Sequence, residues 1–186
     1  LSNGTLNKTP EQLEKELEML GANVRFSASG TSFNVMLSCD KDKLDKSIDL
    51  LKEMMLQPRW DKQEFAKDKK RTVEGAKSEL SSRGTGMSNA WSRLINGETS
   101  PLGRYVGAEK YGKINIADVQ NYYNKFFGPD NAKLVVVGPL TQDEVNSKFS
   151  FLADWKPLNI SVPKPTQAAN FETSQIFGVN YYDAEQ

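Results

Sequence analysis

Apolar residues along the chain recur with two periods, about 3.6 residues and two residues, and the switches between them mark out the elements. Leu13, Leu17 and Leu20 form a helical stripe behind Thr9, Pro10 and Gln12. That T-x-x-Q start is a capping box with proline at the first helical position, and Gly21 is the expected stop. The period then drops to two. Val24, Phe26 and Ala28 alternate with Arg25 and Ser27, Gly30 and Thr31 turn, and Phe33, Val35 and Leu37 alternate again, which predicts a hairpin. Asp40 opens a second helix with Leu44, Ile48, Leu51 and Met55 on one side, ended by Pro58. A long helix follows from Asp61 to Leu80, opened by the D-x-x-E of Asp61 and Glu64, with Phe65, Thr72, Val73, Ala76 and Leu80 on its buried side. Met87, Ala90, Trp91, Leu94 and Ile95 predict a further helix ending near Gly97, whereas 98–113 has no clean period and reads as irregular connection.

In the second half Asn115 caps a helix over Ile116–Phe126, with Val119, Tyr122, Tyr123 and Phe126 apolar. A Gly128–Asn131 turn leads to the unbroken LVVV of Ala132–Val137, predicted as a strand buried on both faces. Thr141 and Glu144 make another capping box, with Val145, Phe149 and Leu152 packing that helix. Pro157, Pro163 and Pro165 mark an extended linker, and Gln175–Tyr182 reads as a last strand. The expectation is an α+β fold, an antiparallel or mixed sheet with helices packed on one face. Residues 1–156 read as the main domain, and 157–186 as a proline-rich linker with the start of a following strand.

Composition narrows what such a fold can do. The 186 residues carry 24 basic and 24 acidic side chains, so no basic nucleic-acid footprint stands out. No apolar run approaches the roughly 18 residues of a membrane span. Histidine is absent, which removes imidazole from any triad or metal set this chain could build alone, and the single Cys39 cannot form a thiolate cage. With no initial Met and an end inside the strand-like IFGVNYYDAEQ, the chain reads as a piece of a longer protein.

Several stretches, in order, carry a resemblance. LSNGT followed by TPEQLEKELEMLGANV, then FSASGTSFNVMLSCDKDKLDKSIDLLKEMMLQPRW, then INIADVQNYYNKFFGPDNAKLVVVGPL, together with DWKP and GVNYYDAEQ, cover nearly the whole chain. Together they resemble the insulinase/pitrilysin family of zinc metallopeptidases, whose signature is H-x-x-E-H. The resemblance implies that family's fold, and a zinc held by two His and a Glu with the motif Glu as general base. The H-x-x-E-H would fall immediately upstream of Leu1. The third ligand would fall inside this chain, where alignment of AKDKKRTVEGAK puts Ala76, with Lys69 where a supporting Glu usually stands. Glu74 and Glu79 lie near enough for a slip of two or three residues to bring one there, but such a slip turns a helical side chain by about 200° or 300°.

The resemblance therefore implies the degenerate, non-catalytic half of a two-half peptidase. It would close the chamber and help bind peptide, while a catalytic half of the same or a partner chain supplies the zinc. No cofactor is expected in this segment itself. The alternative is a stand-alone pseudoprotease acting as a scaffold or assembly subunit. By the same likeness the hairpin tip, Ser27, Ala28, Ser29 and Gly30, is the expected substrate-binding strand. Family habit alone points to a periplasmic or secreted home. Lys67, Lys69, Lys70 and Arg71 could grip acidic groups, but Asp61, Glu64, Asp68 and Glu74 interleave with them, and a solvated helix face is the plainer reading. Trp60, Trp91 and Trp155 read as core or half-core packing, and Cys39 as an unreactive thiol. Exposed sheet edges would allow a homodimer.

Overall fold

A computed structural model describes residues 1–29, 32–79, 82–161 and 173–178. The chain divides into two compact units, Leu1–Glu64 with Asn115–Val162, and Phe65–Ile114 with Pro163–Gln186.

The first unit begins with a turn tied down by its own backbone. Gly4 has φ 93°, and a Cβ there would lie 2.7 Å from the Lys8 carbonyl, so only glycine fits. The turn is fastened to the far end of the second helix: Leu6 N–H donates to the Gln57 carbonyl and Arg59 N–H to that of Gly4, at 2.9 and 3.2 Å. Thr5 is fully buried and donates its hydroxyl to Glu53 Oε1 at 2.6 Å. The Thr5 hydroxyl oxygen in turn accepts the Lys8 N–H at 3.0 Å.

Helix α1, Pro10–Leu20, carries the expected Thr9–Gln12 capping box and ends at Gly21 with φ 58°. Strands β1, Asn23–Ser29, and β2, Ser32–Ser38, pair antiparallel with Val24 opposite Leu37 and Phe26 opposite Val35, the register their alternation requires. The turn residues Gly30 and Thr31 lie outside the described residues. A short 3₁₀ turn, Lys41–Lys43, leads into α2, Leu44–Leu56. Asp40 precedes that turn and makes no side-chain cap.

The core joins Leu13, Leu50 and Met54, with Leu17, Leu20, Val24 and Phe26 packed against it. Each of the three fully buried side chains contributes about 1.5–3 kcal/mol of transfer free energy. Helices thus cover one face of the hairpin. Helix α6, Ile116–Phe126, returns to the first unit behind an Asn115–Asp118 capping box. Its Tyr123 packs edge-on to Trp60 at 5.4 Å and stacks on Phe127 at 5.0 Å, and Phe127 meets Phe33 at 5.0 Å. The Tyr123 hydroxyl donates to the Met55 carbonyl at 2.5 Å, and burial raises its pKa. Helix α7, Gln142–Lys148, opens on the expected Thr141–Glu144 box. Asp130 then accepts the N–H groups of Leu158 and Ile160 at 2.9 and 3.1 Å.

Helix α3, Lys62–Glu79, starts in the first unit and continues into the second. The second unit also holds α4, Arg83–Asn96, and α5, Ala108–Lys113. Between these two, Gly103 sits so close that a Cβ would come within 2.0 Å of the Gly97 carbonyl oxygen.

Five local expectations are corrected. Ala132–Val137 pairs with no strand among the described residues, and Val135 and Val137 are 81% and 94% exposed. The LVVV pattern records a capacity for burial on both faces, but a ladder forms only when a neighbouring strand supplies its other half. The stretch 98–113 is not wholly irregular, because its end forms α5. Helix α4 starts at Arg83, four residues before the apolar stripe, and the Gly86 N–H already donates to the Ser82 carbonyl at 3.1 Å. Trp91 is 64% exposed rather than packed, since the half-buried stripe of α4 runs through Ala90, Leu94 and Ile95 instead. Of the predicted last strand, the described part, 175–178, forms no strand among the described residues, and the rest lies outside them.

Candidate functional site

Two sets of residues were expected to matter, and they belong to different units. On α3, the Asp61 carboxylate accepts the N–H groups of Gln63 and Glu64 at 2.8 and 3.1 Å, fixing the helix start. Those bonds, Glu64 first, hold the Asp61 pKa below the usual carboxylate range. From that start the helix turns Ala76 inward, so that it is only 7% exposed. Phe65 and Val73 are half-buried, whereas Thr72 is exposed despite its place in the expected stripe. Lys69 is half-buried on the same helix.

A methyl group cannot ligate a metal, and Ala76 offers nothing else. Glu74 and Glu79, the residues a slip would recruit, are both exposed, and Glu74 is 3.9 Å from Lys70. Among the described residues no three His, Cys, Asp or Glu side chains gather as a metal set would. The donors near Ala76 among the described residues therefore do not fit a zinc ion. The basic face of α3 is partly neutralised from within: Arg71 pairs with Asp68 at 2.5 Å and Lys70 with Glu74.

The second set is the end of β1. Ser27 and Ala28 are exposed, opposite Asn34 and Phe33 of β2. Ser29 closes the ladder opposite Ser32, and Gly30 lies outside the described residues. The two-stranded sheet leaves one edge of β1 without a partner among the described residues. Such an edge presents a row of N–H and C=O groups that an extended chain can pair with. The aromatic contacts from Phe33 through Phe127 to Tyr123 brace this end of the hairpin.

Sequence reasoning missed the network around Glu53. Burial works against its carboxylate, but hydrogen bonds from Thr5 and Asn7 and the nearby charge of Lys8 outweigh it and lower the pKa. Lys8 lies 3.2 Å from Glu16 and 3.7 Å from Glu53, and its hydrogen bond to Glu16 is the largest influence raising its own pKa. Lys8, Glu16 and Glu53 line a depression of about 370 Å³ whose apolar wall includes Leu20 and Leu50.

Comparison with known proteins agrees with this architecture. Residues 1–90 match the family described as insulinase (peptidase family M16), and residues 113–180 the one described as peptidase M16 inactive domain. No curated protein matches by sequence. Among solved structures, the peptidase M16 inactive domain from Pseudomonas fluorescens is 20% identical with a TM-score of 0.79, over 90% of this chain and 42% of that one. A protease from Helicobacter pylori is 19% identical with a TM-score of 0.69, over 89% and 41%. The first half of the periplasmic protease PqqL from Escherichia coli is 16% identical with a TM-score of 0.65, over 89% and 37%. The chain thus spans about two fifths of the length of the first two of these structures, and at such identities the likeness is one of fold. Among the described residues no helix is long and apolar enough to cross a membrane. The α+β architecture and the ordered pair of matches resemble the inactive half of these peptidases, and the chain belongs to the insulinase (M16) peptidase family.

Proposed function

We propose that this chain is part of the non-catalytic half of an M16-type zinc endopeptidase, closing the chamber and holding peptide while another half supplies the metal. The observation that carries the reading is Ala76. A buried methyl occupies the α3 position that the family resemblance assigns to the third zinc ligand, and Lys69 takes the position of the supporting carboxylate. A lysine there would repel a dication rather than stabilise its ligands. The match of residues 113–180 to the inactive domain supports the same assignment. The peptide would add as a strand to the free edge of β1 at Ser27, Ala28, Ser29 and Gly30, bound mainly through backbone hydrogen bonds.

Metal analysis of the purified chain, with cleavage of a generic fluorogenic peptide followed in parallel, tests the non-catalytic part. The expected result is far less than one zinc per chain and no chelator-sensitive cleavage. Stoichiometric zinc with chelator-sensitive cleavage would overturn it. For the strand-addition part, a labelled extended peptide should bind, and N-methylation of its alternate amides should abolish binding. Equal binding of the methylated peptide would exclude pairing at the β1 edge.

A further inference from the structure

In the second unit, α3 and Gly112 of α5 border an open groove of about 420 Å³. Ala66, Lys69, Lys70, Val73 and Lys77 line it, with Glu74 at its side. Three lysines thus face one glutamate, and that glutamate already lies 3.9 Å from Lys70. Lys69 and Lys77 make no side-chain ion pair or hydrogen bond among the described residues. Val73 is half-buried between them and supplies an apolar floor. At Gly112 a Cβ would meet nothing within 4 Å, so that side of the groove is open backbone.

The spacing is informative. Lys69, Val73 and Lys77 are four residues apart, so along the helix they advance about 6 Å per step and about 12 Å in all, drifting only about 40° per step. An extended peptide places every second side chain on one face, advancing about 6.7 Å per pair. Its residues i, i+2 and i+4 therefore match the axial rise of Lys69, Val73 and Lys77 to within roughly 1.5 Å, and the long lysine stems take up the drift of about 80° between the two ends.

We propose that this groove docks an extended acidic peptide segment of the pattern acid–x–apolar–x–acid, its two carboxylates on Lys69 and Lys77 and its central side chain on Val73. Charge complementarity and matched periodicity identify the occupant. A single nucleic acid strand would call for aromatic rings on which its bases stack, and the residues lining the groove include none. The proposal is independent of strand addition at β1, because all the groove residues lie in the other unit.

The test is fluorescence anisotropy of the full chain against a labelled peptide bearing Glu-Ala-Leu-Ala-Glu between Gly-Ser flanks. Two comparison peptides carry Lys-Ala-Leu-Ala-Lys and the respaced Glu-Glu-Leu-Ala-Ala. Saturable binding is expected, weaker at higher salt, at least about threefold weaker for the respaced peptide and absent for the lysine one. Replacing both cations, Lys69→Glu with Lys77→Glu, should weaken binding by about tenfold or more, because two attractions become repulsions. Lys46→Glu in the first unit should leave it unchanged, and circular dichroism confirms that each variant folds. No saturable binding, equal affinity for the respaced peptide, or equally effective competition by oligo-dT would overturn the proposal, the last two by revealing a generic polyanion surface. Retained binding by the double variant would also refute it.

Discussion

Thr5 and Glu53 are the residues at which the structure makes its sharpest energetic claim. Thr5→Val keeps the shape of the side chain and deletes only the hydroxyl. The bond lost is 2.6 Å long and ends on a carboxylate whose side chain is 16% exposed. A hydrogen bond to a charged partner contributes about 1.5–3 kcal/mol. The Lys8 N–H loses its 3.0 Å partner but keeps the Thr5 carbonyl at 3.4 Å. The Asn7 N–H loses a 3.3 Å partner, yet Asn7 is exposed and that group regains water, so it adds little. The expected loss is about 2–3 kcal/mol at pH 7, which at a urea m-value of about 2 kcal/mol/M moves the midpoint down by roughly 1–1.5 M. The sign with pH follows from the lowered pKa of Glu53. A carboxylate depressed in the folded state contributes stability above its unfolded value, near 4.3, and loses it as pH falls through the folded value. Urea titrations followed by circular dichroism should therefore show the gap between wild type and Thr5→Val shrinking as pH falls below about 4. A double-mutant cycle with Glu53→Gln should give a coupling of about 1 kcal/mol or more. A Thr5→Val loss under about 0.5 kcal/mol at pH 7, or a gap unchanged between pH 7 and pH 3, would refute the reasoning.

Gly103→Ala is expected to destabilise the chain by about 1–3 kcal/mol in thermal or urea unfolding, because the new methyl meets rigid backbone at Gly97; a neutral result would mean that the loop yields freely. Val135→Lys with Val137→Lys should leave the circular dichroism spectrum unchanged while lowering self-association seen by light scattering, since both positions are bare in the chain described here; unchanged association would place the sticky surface elsewhere.

What could be read from the sequence was what neighbouring residues decide among themselves. The Thr9–Gln12 and Thr141–Glu144 boxes and the Asn115 cap each close within three residues, and all three are in place. The hairpin register followed from alternation because a slip by one residue would expose Val24 and Phe26. The pairing of Thr5 with Glu53 spans 48 residues and leaves no local trace. Leu50 and Met54 were overlooked because the stripe drawn through Leu44, Ile48, Leu51 and Met55 was narrower than the face that α2 buries. On α3 the lysines were legible as a basic row, but which of them Asp68 and Glu74 neutralise depends on side-chain reach. The order of segments characteristic of M16 peptidases was legible throughout, whereas the proposed roles of Ala76 and of the β1 edge rest on matching positions to that order.

The hydrogen bond from Tyr123 to Met55 joins residues 68 positions apart, across the whole of the intervening segment of the second unit. The hairpin and the α1–α2 pair can form from contiguous chain, but α6 can dock only after that long loop has closed. Closure entropy grows as about (3/2)RT ln n, so cutting the loop to a tenth of its length would return roughly 2 kcal/mol to the docking step. Docking of α6 is thus the natural late event in folding, and during synthesis it must wait until Tyr123 has left the ribosome. Before then Phe33 lacks its contact with Phe127, and the hairpin presents more apolar surface to a chaperone or protease.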